Sequence, residues 1–287
     1  MSVLLEIRGL EVGYGAIPVL QGIDFDVEEG KTTVLLGLNG AGKTTTVGAI
    51  SGLLKPWGGT ISFEGERIDG LEPPALVDRG VTLVPEGRRV FPALSVAQNL
   101  RLGSWTKRKR GAELKDAEEK VYDYFPILLE RRTQMAGTLS GGQQQMLAVG
   151  RGLMSLPKLI LIDEASLGLS PALAKTVFNI VDRINADGTT VIIVEQNVGV
   201  LKHADNALVM EKGEIVYRGS GEELRSGDEL RRTYLGGGDE EAAPAVARPT
   251  PAPAQAAAQA SAPATSDDEP RSRRRSRARR AGKPGTG

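Results

Sequence analysis

The chain has 287 residues, 40% of them hydrophobic, and its 36 basic side chains balance its 36 acidic ones. That balance singles out neither nucleic acid nor an anionic membrane as a partner. With no cysteine and one histidine, the composition excludes a disulfide framework, a thiol nucleophile and a multi-histidine metal cluster.

The first residues, Met1 to Glu6, lack a basic segment leading into an apolar one, so no secretion signal is expected. Strands are predicted over Leu4–Leu10 and Ile23–Val27. The apolar run Lys31–Leu36 ends in a glycine-rich turn, and Thr44–Ile50 reads as a helix. Gly80–Val84 reads as a buried strand. From Ser95 to Phe125 the chain is charged and helical, with Lys, Arg and Glu interleaved. Leu159–Ile162 and Val191–Val194 are further buried strands. Between them Ala172–Asn185 forms a helix that starts near Ser170-Pro171 and ends near Asp187-Gly188. His203 lies in a polar segment and reads as a surface residue. Ala207–Glu211 and Ile215–Arg218 flank Lys212-Gly213 as a hairpin. Buried strands alternating with helices predict an α/β core with a mostly parallel sheet. No apolar run approaches the roughly 18–20 residues of a membrane span.

After Gly236-Gly237-Gly238 the composition shifts to Ala and Pro and then to an Arg-rich run, Arg271 to Arg280. Residues 239–287 carry nine Lys or Arg and six Asp or Glu, a net charge of +3. So little apolar surface does not offset chain entropy, and a disordered, solvated tail is expected over residues 238–287. The folded domain is expected over residues 1–237.

The chemistry is carried by three segments. Gly37-Leu38-Asn39-Gly40-Ala41-Gly42-Lys43-Thr44 is a GxxxxGKT loop between a strand and a helix. Glycines let backbone N–H groups fold around phosphate oxygens, and the following helix adds its positive dipole end. Lys43 reaches the outer phosphates, the Thr44 hydroxyl can ligate Mg²⁺, and Thr45 follows in the same turn. The second segment, Leu159 to Glu164, is an apolar strand ending in two carboxylates. At a strand C-terminus beside a phosphate loop, Asp163 suits Mg²⁺ and Glu164 suits a general base that polarises water. The third, Leu139-Ser140-Gly141-Gly142-Gln143, is a capped helix start that presents N–H groups and a hydroxyl to an anion.

Those last five residues are the LSGGQ signature, and with the two phosphate-site motifs they make the chain resemble the ABC ATPases. The resemblance implies a P-loop (RecA-like) ATPase core with a mostly parallel sheet, an antiparallel β region and an inserted helical subdomain over about residues 88–153. It implies that Ser140, Gly141, Gly142 and Gln143 face the terminal phosphate of ATP held by an opposing subunit. Tyr14 matches the aromatic that stacks on adenine. Glu86 stands where most relatives have a glutamine that touches Mg²⁺ and the membrane partner, and a carboxylate can also ligate Mg²⁺. Gln196 stands where most have a histidine contacting the γ-phosphate. Glutamine can donate a hydrogen bond but cannot become cationic. Ala165 replaces a commoner proline, and Gly168-Leu169-Ser170 lacks the usual aspartate.

The segments Val84-Pro85-Glu86-Gly87-Arg88, Val90-Phe91-Pro92, Val194-Glu195-Gln196-Asn197 and Tyr234-Leu235-Gly236-Gly237 resemble the ATPases of branched-chain amino acid uptake systems. That resemblance implies an ATP-hydrolysing motor subunit at the cytoplasmic face of the plasma membrane, with ATP and Mg²⁺ as its ligands. The implied partners are transmembrane permease subunits, a second ABC ATPase in a heterodimer or a second copy in a homodimer, and, indirectly, an extracytoplasmic solute-binding protein. Relatives serving urea or short-chain amides share much of this pattern. The reading from another class is an ABC ATPase acting on ribosomes or nucleic acid through the Arg-rich tail. Such proteins usually carry two cassettes in one chain, and this chain has one.

Overall fold

The computed structural model describes residues 2–107 and 111–226. The expected tail, the boundary at residue 237 and the Tyr234–Gly237 segment lie outside the described residues. The chain opens with β1 (Val3–Tyr14) and β2 (Ile17–Glu28), then β3 (Thr32–Leu36) and α1 (Lys43–Ile50). Next come β4 (Gly58–Phe63), β5 (Glu66–Arg67), α2 (Pro73–Arg79) and β6 (Val81–Val84). A helical segment follows: α3 (Val96–Gly103), α4 (Gly111–Tyr124), α5 (Pro126–Glu130) and α6 (Gly141–Leu153). The chain then returns to the core through β7 (Leu159–Asp163), α7 (Pro171–Ala186) and β8 (Thr190–Glu195), followed by β9 (Asn206–Glu211), β10 (Glu214–Ser220) and α8 (Gly221–Ser226).

Two sheets form. β2-β1-β4-β5 is antiparallel. β10-β9-β3-β8-β7-β6 is parallel except for β10, which pairs antiparallel with β9. Strand side chains alternate between faces, and both faces of the larger sheet are apolar. Val34, Leu36, Ile160, Ile162, Val191 and Ile193 point into one core with α6 and α7. Leu35, Leu159, Leu161, Ile192 and Val194 point into a second core with α1 and the antiparallel sheet. This explains why β3, β7 and β8 read as unbroken apolar runs rather than alternating ones. The order β3-β8-β7 brings the C-terminal ends of three strands to one edge, where the phosphate loop, Gln196 and the paired carboxylates emerge.

The elements differ from expectation in three places. β1 and β2 are each 12 residues long, extended at both ends by mutual pairing. The β4–β5 hairpin, α2 and α8 are additional to the predicted set. His203 is not a surface group: its side chain is only 5% exposed. The ring packs 5.5 Å from that of Phe178 and places Nδ1 2.7 Å from Asp182 Oδ2.

Candidate active site

The loop after β3 is shaped by close approaches that only glycine allows. A methyl group on Gly37 would lie 2.5 Å from the Met210 carbonyl oxygen. Gly42 caps α1 in the left-handed region, with φ of 107°, and no side chain caps that helix. α3, α6 and α7, by contrast, each receive a serine hydroxyl at their first turn. The first N–H groups of α1 are thus left to whatever the loop binds. The β9–β10 turn supports the loop from behind, with the Gly213 N–H donating to the Ala41 carbonyl at 2.9 Å. Leu38, Asn39, Gly40 and Thr44 are exposed.

Lys43 is 4% exposed. Its ammonium folds over its own loop, donating to the Gly37 carbonyl at 2.9 Å and the Leu38 carbonyl at 3.2 Å. It also stands 3.8 Å from Glu164 Oε1. Thr45 is buried, and its hydroxyl is 3.5 Å from that of Tyr14, which is 51% exposed at the end of β1.

β7 delivers the carboxylates. Asp163 is 2% exposed, and its Oδ1 has no partner among the described residues. Burial raises its pKa to about 6. The charges of Glu164 and Glu86 add to that rise, while the Thr44 hydroxyl bonded to the carboxylate and the Lys43 ammonium oppose it. Glu164 has φ of 49°, unusual for a side chain with a Cβ. Its N–H donates to the Val194 carbonyl at 2.9 Å, which locks the end of β7 to β8. Burial also raises the pKa of Glu164, against the pull of Lys43 and with a further push from Glu86. Lys43, Thr44, Asp163 and Glu164 therefore converge, and Glu86 is near enough for its charge to be felt by both carboxylates.

Gln196 is exposed immediately after β8. Its neighbour Glu195 is a residue that sequence reasoning passed over. Glu195 is 2% exposed and accepts from the Ser166 N–H at 2.9 Å and the Ser166 hydroxyl at 2.8 Å. It ties the loop after Glu164 to the strand that carries Gln196. Only its place in an all-buried strand hinted at this, because its partner lies 29 residues away.

The signature opens α6. The Ser140 hydroxyl accepts from the Gln143 N–H at 3.4 Å, and the Gln143 side chain accepts from the Ser140 N–H at 3.0 Å. The Gln143 amide is thus engaged in closing its own helix. Among the described residues, no hydrogen bond or ion pair joins residues 140–143 to the phosphate loop or to Asp163 and Glu164. The signature and the phosphate site are separate features of one chain.

A family model described as ABC transporter matches residues 20–167, a span that contains the phosphate loop, the signature and the paired carboxylates. The chain belongs to the ABC transporter family. It is similar to the high-affinity branched-chain amino acid transport ATP-binding protein BraG of Pseudomonas aeruginosa. The two are 43% identical over 225 residues, covering 78% of this chain and 96% of BraG. It is 32% identical to the probable branched-chain amino acid transport ATP-binding protein LivF of Archaeoglobus fulgidus, covering 79% of this chain and 96% of LivF. Among solved structures it is similar to the ADP conformation of MJ1267, an ATP-binding cassette of an ABC transporter. The TM-score is 0.73 at 28% identity, covering 82% of this chain and all of that one. As an ABC importer ATPase, this chain binds and hydrolyses ATP. Among the described residues no helix is long and apolar enough to cross a membrane.

Proposed function

We propose that this ABC ATPase drives uptake of branched-chain amino acids. On this reading it works at the cytoplasmic face of the plasma membrane, with two permease subunits, a second and different ATPase and, indirectly, an extracytoplasmic solute-binding protein. The observation that carries the site assignment is the convergence of Lys43, Thr44, Asp163 and Glu164 around one buried, unpartnered carboxylate oxygen. The solute assignment is supported by the 43% identity to BraG.

In this mechanism ATP lies between the phosphate loop of one subunit and the signature of the other. The adenine stacks on Tyr14, and the phosphates take the N–H groups of residues 37–45. Lys43 exchanges its two loop carbonyls for phosphate oxygens, which are stronger acceptors for an ammonium. Glu164 accepts a proton from the attacking water and aligns it for in-line displacement. Gln196 donates a hydrogen bond to the transferring phosphoryl group. Ser140, Gly141 and Gly142 present donors from the opposing subunit, and Gln143 keeps their helix start closed. The Thr44 hydroxyl and the Asp163 carboxylate, with Glu86 beside them, are an all-oxygen donor set of the kind Mg²⁺ prefers, and the orphaned Asp163 Oδ1 fits that role. When bound, Mg²⁺ supplies neutralisation of charge on the outer phosphates.

Coupling to the permeases is assigned to the junction of the core with the helical segment. There a cleft of 340 Å³ is lined by Val84, Leu102, Trp105, Arg151 and Phe91. The Arg151 guanidinium lies 5.3 Å from the centre of the Phe91 ring, and its Nη1 is buried without a hydrogen-bond partner among the described residues. An acceptor on an inserted permease segment would satisfy that nitrogen.

The test is affinity purification of the chain from mild-detergent membranes of its own organism, followed by mass spectrometry. Recovery of two permeases, a second ATPase and an amino-acid-binding protein is expected. Recovery of ribosomal proteins or RNA without a permease would overturn the transport reading.

A further inference from the structure

The segment after β6 makes a turn of three successive left-handed residues. Gly87, Arg88 and Arg89 have consecutive positive φ angles of 80°, 65° and 45°. The left-handed region suits glycine and is disfavoured for a residue with a Cβ, so two successive arginines there mark a strained turn. The turn separates their side chains. Arg89 donates its Nε to the Glu86 carbonyl at 3.2 Å. Arg88 instead lays its guanidinium against the signature. A methyl group on Gly141 would lie 2.8 Å from its Nη2 and 2.9 Å from its Nη1. A methyl group on Gly168, in the loop after Glu164, would lie 3.3 Å from the same Nη2.

One guanidinium nitrogen therefore sits between the first residue of the signature helix and the loop that follows the catalytic carboxylate. Both neighbours are glycines, which leave it room. No hydrogen bond or ion pair among the described residues involves this guanidinium, and Arg88 is only half-buried. A strained backbone that positions an unpaired cation beside an anion-binding helix start points to an anion supplied from outside the chain.

We propose that Arg88 contacts the terminal phosphate of the ATP held by the opposing subunit and acts on it together with Ser140, Gly141 and Gly142. This rests on the reading of the signature as the face that closes on that nucleotide. During hydrolysis the water oxygen bonds to the γ-phosphorus, the bond to the bridging oxygen breaks, and ADP leaves with the electron pair. Arg88 gives up no proton and remains charged throughout. Its charge balances the negative charge spread over the transferring group, a role that an arginine supplied by a neighbouring chain can fill. It provides the positive charge that the neutral Gln196 does not.

The experiment compares the assembled transporter carrying wild-type, R88K, R88M or R88Q chain. It reads kcat and KM for ATP and trapping by vanadate, a mimic of the transferring phosphoryl group. ATP binding by each isolated chain is measured alongside. Methionine keeps most of the side chain's bulk without charge, and R88Q is a second uncharged variant in case R88M folds poorly. The expected result is unchanged ATP affinity of the isolated chains, because the phosphate loop is intact. In the assembled complex, kcat and vanadate trapping should fall together by about tenfold or more in R88M and R88Q, while R88K, which keeps the charge but not the planar fork, falls less than they do. The proposal is overturned if the uncharged variants turn over within threefold of wild type, or if R88K falls as far as they do, which would assign Arg88 to packing. Failure of the wild-type chain to bind ATP would sink the underlying site reading along with it, whereas wild-type hydrolysis with indifferent variants would sink Arg88 alone.

Discussion

The Lys43 ammonium is 4% exposed and, among the described residues, is held by carbonyls of its own loop and a carboxylate 3.8 Å away. Replacing it by alanine should weaken ATP binding by about 10- to 150-fold, the worth of a charge-assisted bond of about 1.5–3 kcal/mol. Titration calorimetry on the isolated chain reads this, and an unchanged affinity would remove Lys43 from the site. Glu195 carries a different prediction. Burial pushes its pKa up from the ordinary 4.5 to about 7, with the Glu164 charge adding and the Ser166 bonds opposing. Between those values the folded chain holds a proton that the unfolded chain has released, so stability falls as pH rises across that window. E195Q has no such proton to lose. Against wild type it should gain on the order of 3 kcal/mol at about pH 8 and nothing below about pH 4.5 in urea unfolding. A difference independent of pH would contradict the assignment. These two residues also mark how far the sequence reaches. Lys43 was legible because phosphate chemistry fixes its spacing from the loop glycines. Glu195 was not, because its burial and its bond to Ser166 come from tertiary contact.

At the scale of elements, α3 and α6 approach closely. A methyl group on Gly103 would lie 1.9 Å from the Arg151 carbonyl oxygen. G103A should therefore cost about 1–3 kcal/mol by forcing the helices apart. For a domain of this size that lowers Tm by about 2–4 °C per kcal/mol. ATP binding should persist, since α1 and its loop pack in the other core. A melting temperature equal to wild type would show that the helices yield freely. The same scale explains the missed elements. β4 reads poorly because it begins with two glycines and fully buries only Ile61 and Phe63. Its existence rests on pairing with β1. α2 is seven residues long and buries only Leu76. β3, β7 and β8, buried on both faces, needed no such context to be read.

At the scale of the molecule, the six-stranded sheet separates two cores and brings the phosphate loop, the paired carboxylates and Gln196 to one edge. The signature sits apart from them in the same chain. On the proposed function, one chain supplies two complementary half-sites that a head-to-tail pair of ATPases would complete. The order of the motifs made the separation of signature and phosphate loop within one chain legible. The charged placement of Arg88 was not, because it depends on three successive left-handed residues. On the proposed function, hydrolysis at Glu164 drives uptake. Its most direct test is ATP-dependent leucine uptake into proteoliposomes that hold the assembled transporter, with wild-type chain or with E164Q. ATP binding should be retained in E164Q, while hydrolysis and uptake fall together by about 10²–10⁴-fold. Uptake by E164Q within a few-fold of wild type would contradict the account.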